Sequence, residues 1–491
     1  MMEDGSPAAG TGRLGEVSGI AFPLVISYGT FACKLFTDRL MLAWHSETAI
    51  SAAMSAGMGY FTLASLFMGV ANYASAFVAQ YSGAARHERI GLAVWQTLLF
   101  SLAAGLVLSL AGRELAPLFR GIGHPPELAR EEEAYFLILA SGSVFSLMGA
   151  GLMCFWTGRG KTWTVAGVVC AGLVLNAILN WALIFGAAGG PRLDSAPRLL
   201  PALGDWLNAA AARIGSDRLG TAGAALATIA SDAAVTLIFL ALFLGRNNRR
   251  EFGTWPKRVF AAGLTRLMLR HGIGNGAQLF MDTGSFSIFV MLMGRYAVAA
   301  DGSNAGAASG IAMSVHGVAF IPMLGIGGAA AILVGRGVGA GDIGFAVRSV
   351  RSASLLITSY MGGFAACLIL APGWLVSLFD PGGNLGAGTR ELAVDFVRLA
   401  GLFTISDGVF ILYGSAVRGT GDTRFSMYAM GFCGWLLFAI PCLAAHALGA
   451  GAYFLWLLLI FYSLTLASLF HWRYRQGKWK KMRVIEEARG G

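Results

Sequence analysis

The sequence predicts an all-α polytopic membrane protein in which twelve transmembrane helices form two pseudo-symmetric six-helix lobes. Composition is the first indication, because 56% of the 491 residues are hydrophobic and only 13% are charged, too few charges to cover a water-soluble protein of this size. Hydropathy is the second, because apolar stretches of about 20 residues recur, each long enough to cross a hydrocarbon core of about 30 Å. An internal repeat is the third.

The apolar stretches define the helices in order along the chain. The first half contains six of them, at 17–44, 49–80, 92–112, 134–156, 164–186 and 222–245. The second half contains another six, at 272–296, 307–335, 350–372, 392–416, 426–446 and 452–472. Residues 1–16 are polar and lack the basic start and short apolar core of a cleaved signal peptide, so we expect the first helix to remain as an anchor.

Basic residues between the helices predict the orientation of the protein. Lys and Arg concentrate in alternate connecting segments, notably from Arg246 to Arg270 and from Arg473 to Arg489. Cytoplasmic loops carry this excess in membrane proteins, so both termini are expected in the cytoplasm. The net charge of +10 follows from this pattern and from contact with membrane lipid, and nucleic-acid binding is not expected.

Two pairs of segments repeat at similar offsets in the two halves. GVANYASAFVAQYSGAARHERIG at 69–91 resembles GGAAAILVGRGVGAGDIGFA at 327–346, and both describe a glycine-rich apolar helix that ends at Gly83 or Gly339. FWTGRGKTWTVAG and AVRGTGDTRFSMYAM form the second pair. We therefore predict an N-lobe at 1–248 and a C-lobe at 249–491. Six helices per copy insert both lobes the same way up, with a cavity between them.

Three aspartates, Asp38, Asp282 and Asp407, fall inside predicted membrane helices. An ionised carboxylate at the bilayer centre costs roughly 2.5–3.5 kcal/mol on insertion scales, so such a residue normally faces a cavity or takes up a cation or proton. These residues are therefore candidate sites for a coupling ion, either Na⁺ or H⁺. The alternative is a structural role, in which each aspartate accepts hydrogen bonds that hold neighbouring helices together. Nearby hydroxyls could donate these bonds, at Thr283, Ser285, Thr404 and Ser406.

Polar residues around Asp38 predict a second pocket in the N-lobe. Lys34 precedes Asp38 by four residues on one helix, so the two can form an ion pair with Lys34 as an internal substitute for the cation; this pairing is the structural alternative to a functional Asp38. Asn176 and Asn180 share one face of the fifth helix and could complete the pocket, with ordinary helix–helix hydrogen bonding as the alternative. Asp232 of the sixth helix could join the same network.

Two further features each allow two interpretations from sequence. His316 in the eighth helix is either a proton relay or, as we favour, a hydrogen-bonded packing residue. The segment 187–221 either contains an interfacial amphipathic helix within LLPALGDWLNAAAARIG or is a tolerated surface insertion. The six cysteines lack C-x-x-C spacing, so no resident metal or other cofactor is implied beyond a transported Na⁺.

Five motifs in order carry a resemblance to a known family. They are LFTDRLMLAW around Asp38, VAQYSGA around Gln80, LNAILNWALIFG at 175–186, GIGNGAQLFMDTG around Asp282 and ISDGVFILYGSAVRGTGDTR around Asp407. Over nearly its full length the chain resembles the MATE (multidrug and toxic compound extrusion) exporters, especially the NorM-type branch. The resemblance implies a MOP-type fold and implicates Asp282 and Asp407 in cation binding, although the NorM pattern usually has glutamate where this chain has Asp282.

Together these features predict a cation-coupled antiporter that exports amphipathic, often cationic or aromatic compounds by alternating access. The resemblance implies a bacterial inner membrane, and we expect a monomer. One alternative is a lipid-linked saccharide flippase of the same superfamily, which needs a strongly cationic central cavity, whereas intramembrane Lys and Arg are nearly absent here apart from Lys34. A membrane-embedded enzyme is the other alternative, and the sequence shows no clustered nucleophile or metal ligands for it.

Overall fold

The computed structural model describes residues 11–121, 124–186, 205–209, 212, 217–256, 258–296, 304–379 and 386–485, and twelve helices there are long and apolar enough to cross a membrane. The first half contributes α1 (Leu14–His45), α2 (Thr48–Gly83), α3 (His87–Gly121), α4 (Pro126–Thr157), α5 (Thr162–Phe185) and α6 (Gly220–Phe243). The second half contributes α7 (Ala262–Met293), α8 (Ala305–Ala340), α9 (Ile343–Leu370), α10 (Ala387–Thr420), α11 (Thr423–Ala447) and α12 (Ala452–Arg475). The predicted fold class is confirmed.

Each predicted span overlaps one of these helices, and most of the helices extend past the predicted ends. The largest difference is in α7, which begins at Ala262 rather than at residue 272. Its first turns carry Arg266 and Arg270, and long basic side chains of this kind can extend to the polar headgroup region of a membrane while the backbone remains helical. The segment 187–221, for which an interfacial helix is one expectation, lies largely outside the described residues.

Two of the membrane helices depart from regular α-helix. The helix α2 is interrupted at Tyr73, between Glu47–Asn72 and Ala74–Gly83. In α11, Gly431–Ala439 is π-helical. This wider segment packs against α7 where Asp282 lies, since a Cβ on Gly434 would be 3.1 Å from the Ser285 hydroxyl oxygen. Single π-helical turns occur frequently at functional sites, and the sequence gives no signal for this one.

The helices of each half pack mainly against one another. In the first half α4 packs against α2, α3 and α6, and in the second half α10 packs against α8, α9 and α12. Large aromatic side chains fill the two interiors, including Phe155 and Trp181 in the first half and Phe396 and Trp456 in the second. This packing agrees with two six-helix lobes, while the predicted boundary between residues 248 and 249 stays a prediction.

Two glycines singled out by the internal repeat lie where the lobes touch. A Cβ on Gly83 of α2 would be 2.0 Å from the Arg336 carbonyl oxygen of α8, and a Cβ on Gly339 would be 2.1 Å from the Gln80 carbonyl oxygen of α2. Glycine alone permits backbones to approach this closely. Gly83 and Gly339 end the equivalent helices of the two repeats, so each repeat's glycine packs against the other repeat's helix.

Polar contacts between the lobes also lie at one end of the bundle. Asn275 Nδ2 donates to the Gly69 carbonyl oxygen (2.6 Å), and the Tyr73 hydroxyl donates to the Arg418 carbonyl oxygen (3.0 Å). Among the described residues, every hydrogen bond between the two lobes lies in the half that carries the chain termini. The lobes are therefore joined at that end.

The chain after α12 strengthens this junction, and we name residues 476–485 the C-terminal strap. Trp479 of the strap is 2% exposed and packs in the C-lobe, whereas Val484 is 1% exposed and packs in the N-lobe. The Val484 backbone N–H donates to Gln80 Oε1 (2.8 Å), and Gln80 Nε2 donates to the Gly419 carbonyl oxygen (3.0 Å). Gln80 thus links α2, α10 and the strap.

Candidate functional site

The intramembrane aspartates lie in two polar clusters, one in each lobe. Asp38 of α1 is 6% exposed, and Asp407 of α10 is 7% exposed, so each carboxylate is inside the protein rather than against lipid. Asp282 of α7 lies near Asp407. In the parts of the chain that the structure describes, no Lys or Arg forms an ion pair with any of the three. Their charges are therefore not neutralised by direct contact with a described lysine or arginine.

The N-lobe cluster brings Asp38 together with the two predicted asparagines. Asn180 Nδ2 donates to Asp38 Oδ1 and also to Asn176 Oδ1, at 3.1 Å in the second case. Thr228 of α6, which the sequence analysis missed, donates to Asp38 Oδ2 (3.3 Å). The Nδ2 of Asn176 and the Oδ1 of Asn180 are buried and have no hydrogen-bond partner among the described residues. The pocket therefore retains one donor and one acceptor for a further polar group.

Lys34 does not pair with Asp38, so the structural alternative for Asp38 is wrong. The Lys34 ammonium lies 2.6 Å from Asp232 Oδ1 and donates to the Ser231 hydroxyl (3.0 Å), while the Ser146 hydroxyl donates to Asp232 Oδ2 (2.6 Å). Spacing by four residues places Lys34 and Asp38 on one face of α1, but α6 offers Lys34 both a carboxylate and a hydroxyl. The pair remains within electrostatic range of Asp38 without neutralising it directly.

In the C-lobe cluster, Asp282 contacts a tyrosine from α12. The Tyr462 hydroxyl lies within hydrogen-bond distance of Asp282 Oδ1 (3.3 Å) and of the Met430 sulfur (3.2 Å). Asp407 is close enough for its charge to repel that of Asp282. Two carboxylates in such a site do not readily remain ionised together, which favours uptake of a cation or proton between them. Tyr462 carries no signal in the sequence, because it is one of many aromatic residues in apolar helices.

His316 of α8 contacts Asp407 directly. Its Nε2 lies 3.5 Å from Asp407 Oδ2, and its Nδ1 lies 2.9 Å from the Thr404 hydroxyl. Thr404 donates its proton to the Ala400 carbonyl oxygen (2.7 Å), so the Nδ1 of His316 must be the donor to Thr404. If Asp407 were ionised and Nε2 unprotonated, a lone pair on the carboxylate oxygen would face the lone pair on Nε2, and the two would repel each other. The pair therefore needs one proton, either on His316 or on Asp407.

The hydroxyls considered as structural anchors form other hydrogen bonds. Ser285 donates to the backbone carbonyl of Asp282 (3.0 Å), and Ser406 contacts the Phe403 carbonyl and the Ser463 hydroxyl. Within the described part of the chain, none of Thr283, Ser285, Thr404 and Ser406 has a hydrogen bond to the carboxylate of Asp282 or Asp407. The two carboxylates are therefore not held by the short-range contacts that the structural alternative requires.

Two other polar residues near this cluster were not identified from sequence. Gln278 precedes Asp282 by one turn, is 6% exposed, and its Oε1 has no hydrogen-bond partner among the described residues. Arg418 lies inside α10 rather than beyond its end, donates to the Ser415 hydroxyl (2.9 Å) and is within electrostatic range of Asp282. Arg418 corrects the expectation that Lys34 is nearly the only intramembrane basic residue.

Comparison with known proteins agrees with this architecture. The model of the MatE family matches residues 23–182 and 277–444, which together exceed half of the chain. The chain belongs to the MATE family of transporters. Family membership identifies it as a transporter and not an enzyme, and confirms the resemblance drawn from the five motifs.

Relatives of this MATE transporter match it over almost their whole length. The multidrug resistance protein NorM of Burkholderia vietnamiensis is 30% identical over 467 residues, covering 94% of this chain and 93% of the relative. A probable multidrug resistance protein NorM of Burkholderia mallei is 31% identical over 498 residues, covering 98% and 95%. NorM proteins are thus similar to this chain over nearly its full length.

Solved structures of MATE transporters share the fold at low sequence identity. A multidrug resistance MATE family transporter of the MOP superfamily, in an outward-facing conformation, matches with a TM-score of 0.79 at 16% identity and covers 96% of this chain and 98% of its own. A eukaryotic MATE transporter matches with a TM-score of 0.78 at 18% identity, covering 95% and 96%. The twelve helices therefore have the arrangement of MATE transporters.

The family match also separates the candidate residues. Asp38, Asn176 and Asn180 lie in the first matched segment, and Asp282 and Asp407 lie in the second. Several of their structural partners fall outside both segments, including Thr228, Asp232 and Tyr462. The ion pair of Lys34 and the hydrogen bond to Asp282 therefore each include a residue that the family model does not cover.

Proposed function

We propose that this MATE transporter exports amphipathic, often cationic or aromatic organic compounds in exchange for a coupling cation. The observation that carries the proposal is the cluster of Asp282 and Asp407, two neighbouring carboxylates inside an apolar lobe without an ion pair to Lys or Arg in the described part of the chain. A site of this kind gains free energy when a cation enters and loses it when the cation leaves. The names of the NorM relatives support drugs as substrates.

We further propose H⁺ as the coupling ion. His316 and Asp407 face each other with room for one shared proton, and Thr404 fixes the orientation of the imidazole ring. Protonation of this pair removes the net negative charge of Asp407 from the apolar lobe. Loss of the proton restores the charge and its repulsion with Asp282. The protonation state of this pair would therefore determine which arrangement of α7, α8 and α10 is more stable.

The Na⁺ alternative has one observation in its favour. Na⁺ prefers oxygen ligands, and Gln278 Oε1 is a buried oxygen without a partner among the described residues, one helical turn from Asp282. The histidine favours H⁺ over Na⁺, because the Nε2 atom of His316 occupies a position beside Asp407 where a sodium site would place an oxygen ligand. The two ions give different results in the transport assay described below.

Alternating access in this proposal moves the lobe 1–248 against the lobe 249–491. The lobes touch at the end with the chain termini, through Gly83, Gly339 and the C-terminal strap. We place both termini in the cytoplasm of a bacterial inner membrane, on the basis of the basic loops, and treat the protein as a monomer. In that orientation the described state is closed toward the cytoplasm and able to release a substrate outward.

Side chains at the end of the bundle opposite the chain termini suit apolar ligands of varied shape. Met54 and Met58 of α2, Phe36 of α1 and Met291 of α7 are each at least 42% exposed in this half of the bundle. Methionine adapts its shape to irregular ligands, and aromatic rings provide faces for organic cations. The flippase alternative is less favoured, because Lys34 is paired with Asp232 and Arg418 lies within range of the Asp282 carboxylate, so neither offers a free positive charge to a pyrophosphate.

A reconstituted transport assay tests the proposed function and its ion. Purified protein in liposomes receives an imposed H⁺ gradient or an imposed Na⁺ gradient, and the movement of ethidium is followed by fluorescence. We expect ethidium to move in the direction opposite to the flow of H⁺. This movement should stop when an ionophore collapses the H⁺ gradient. Transport driven by Na⁺ at equal pH on both sides would instead identify Na⁺, and ethidium movement unaffected by either gradient would contradict cation coupling.

A further inference from the structure

A basic cavity lies away from both aspartate clusters, at the end of the bundle that carries the termini. It has a volume of about 550 Å³ and is lined by Gly263, Arg266, Leu267, Arg270 and Arg424. Arg266 and Arg270 are one turn apart at the start of α7, and Arg424 is in the first turn of α11. Three arginines from two neighbouring helices therefore line one space.

Among the described residues, no carboxylate forms an ion pair that balances the positive charges of this cavity, at Arg266, Arg270 and Arg424. The carboxylate nearest in sequence, Asp422, is 7% exposed and lies 2.7 Å from Arg473, so its charge is already neutralised. Three adjacent guanidinium groups repel one another, and an anion that bridges them relieves this repulsion.

A second cavity of the same volume shows the difference. It is lined by Thr11, Gly12, Arg13, Arg348, Arg351 and Ser352. There Arg348 lies 3.9 Å from Asp342 and donates to the Thr11 carbonyl oxygen, so the protein itself supplies acceptors. Basic residues at the cytoplasmic end of a membrane protein are common, but the three arginines of the first cavity converge without such acceptors.

Exposed apolar side chains continue from the cavity along the membrane-spanning part of the same helices. Ile273 follows Arg270 by three residues on α7 and is 53% exposed. Tyr428 follows Arg424 by four residues on α11 and is 69% exposed, and Phe432 one turn further is 53% exposed. Residues three to four apart share one helix face, so a positive site passes directly into an apolar surface. This is the pattern of a ligand with an anionic head and an apolar tail.

We propose that Arg266, Arg270 and Arg424 bind the phosphate of an anionic glycerophospholipid headgroup, with an acyl chain against Ile273, Tyr428 and Phe432. Arginine suits this role because its planar guanidinium donates two parallel hydrogen bonds to phosphate oxygens. Bound lipid would connect the first turns of α7 and α11. Asp282 lies further along α7, and the π-helical segment of α11 packs against α7 near Asp282. The proposal does not depend on the coupling ion or on the transported substrate.

Lipid-dependent thermal stability tests this site. The full chain, purified in detergent and freed of lipid, is titrated separately with dioctanoyl phosphatidylglycerol, dioctanoyl phosphatidylcholine and inorganic phosphate. We expect phosphatidylglycerol alone to raise the unfolding temperature in a saturable manner. The variant Arg266→Gln/Arg270→Gln/Arg424→Gln should need about a hundredfold more phosphatidylglycerol, since each basic residue near a membrane contributes about a fivefold gain in affinity for anionic lipid.

A matched control removes the same number of charges elsewhere. Arg246, Arg250 and Lys480 are exposed and lie outside the cavity, so Arg246→Gln/Arg250→Gln/Lys480→Gln should respond to phosphatidylglycerol as the unmodified protein does. The proposal is overturned if the cavity variant keeps the unmodified response, or if the control variant loses the response equally. An equal stabilisation by inorganic phosphate would also overturn it, because the site would then bind a soluble anion rather than a lipid.

Discussion

At the level of single residues, the C-lobe site depends on the proton shared by His316 and Asp407. Thr404 binds Nδ1 of the imidazole, which leaves Nε2 for Asp407. Glutamine at position 316 keeps polarity and approximate size but cannot take up a proton. The variant should therefore bind a drug normally and still couple its transport poorly to a proton gradient.

We expect His316→Gln to reduce the initial rate of H⁺-driven ethidium transport by about a hundredfold, the scale typical of a lost proton-transfer group. Ethidium binding, measured by fluorescence polarisation in detergent, should change little. His446→Gln is the control, because His446 packs against Tyr296 and away from the aspartates. Unchanged proton-driven transport by His316→Gln would show that Asp407 works without its neighbour.

The ion pair of Lys34 and Asp232 gives a second prediction at this scale. The single variants Lys34→Met and Asp232→Asn each leave one charge without its partner, and each should lower the unfolding temperature in detergent. The two side chains are 16% and 28% exposed, so the cost should be below the roughly 3–5 kcal/mol of a fully buried broken pair. The double variant should recover much of the loss.

A parallel cycle of Lys34→Met and Asp38→Asn provides the comparison. These residues are not paired in the structure, so their effects should be closer to additive than those of Lys34 and Asp232. Strong coupling in the Lys34–Asp38 cycle and additive losses in the Lys34–Asp232 cycle would together contradict the observed pairing.

Sequence patterns identified the buried aspartates, because a charged residue inside an apolar stretch is conspicuous. They also suggested Asn176 and Asn180 as neighbours of Asp38, but they did not identify the other partners. Lys34 pairs with Asp232 of α6, far away along the chain, although Asp38 is at the spacing favoured within one helix. Tyr462 and Thr228 reach Asp282 and Asp38 from other helices in the same way. Such contacts follow from helix packing, which the spacing of residues within one helix does not determine.

At the level of helices, the crossing of α2 and α8 depends on glycine. A Cβ on Gly339 would lie 2.1 Å from the Gln80 carbonyl oxygen, which is too close for any residue but glycine. A Cβ on Gly317 of the same helix would have nothing within 4 Å. Alanine favours a helix over glycine by about 1 kcal/mol. The two substitutions therefore differ in packing and not in helix propensity.

We expect Gly339→Ala to lower the unfolding temperature, because the forced separation of α2 and α8 costs roughly 1–3 kcal/mol and exceeds the gain in helix propensity. Gly317→Ala should be neutral or stabilising. Differential scanning fluorimetry of the two variants measures the difference. Equal effects at both positions would show that the close approach at Gly339 is not important for stability.

Hydropathy predicted the existence of all twelve helices, since the cost of unpaired backbone groups in lipid leaves few alternatives to a helix. It did not predict where α7 begins, because helices continue past the hydrocarbon into the headgroup region. The interruption of α2 at Tyr73 and the π-helical segment of α11 were also missed. Both depend on how neighbouring helices pack, and neither alters the average hydropathy of its span.

At the level of the whole molecule, the repeat explains the junction between the lobes. Equivalent glycines of the two halves pack against each other's helices, and the C-terminal strap adds hydrogen bonds through Gln80 at the same end. A junction confined to one end permits the opposite end to remain open. The internal repeat predicted two lobes, but the strap follows the repeat and had no counterpart in the first half to reveal it.

The central claim is that Asp407 couples cation uptake to export, and Asp407→Asn tests it most directly. Amide and carboxylate are nearly the same size, so the variant should fold and bind ethidium. The negative charge at position 407 is lost. Asp395→Asn is the control on the same helix, since Asp395 binds Arg398 and Tyr453 instead. In liposomes with an imposed proton gradient, we expect Asp407→Asn to fall to the rate of protein-free liposomes and Asp395→Asn to transport normally. Gradient-driven transport by Asp407→Asn at the unmodified rate would contradict the claim.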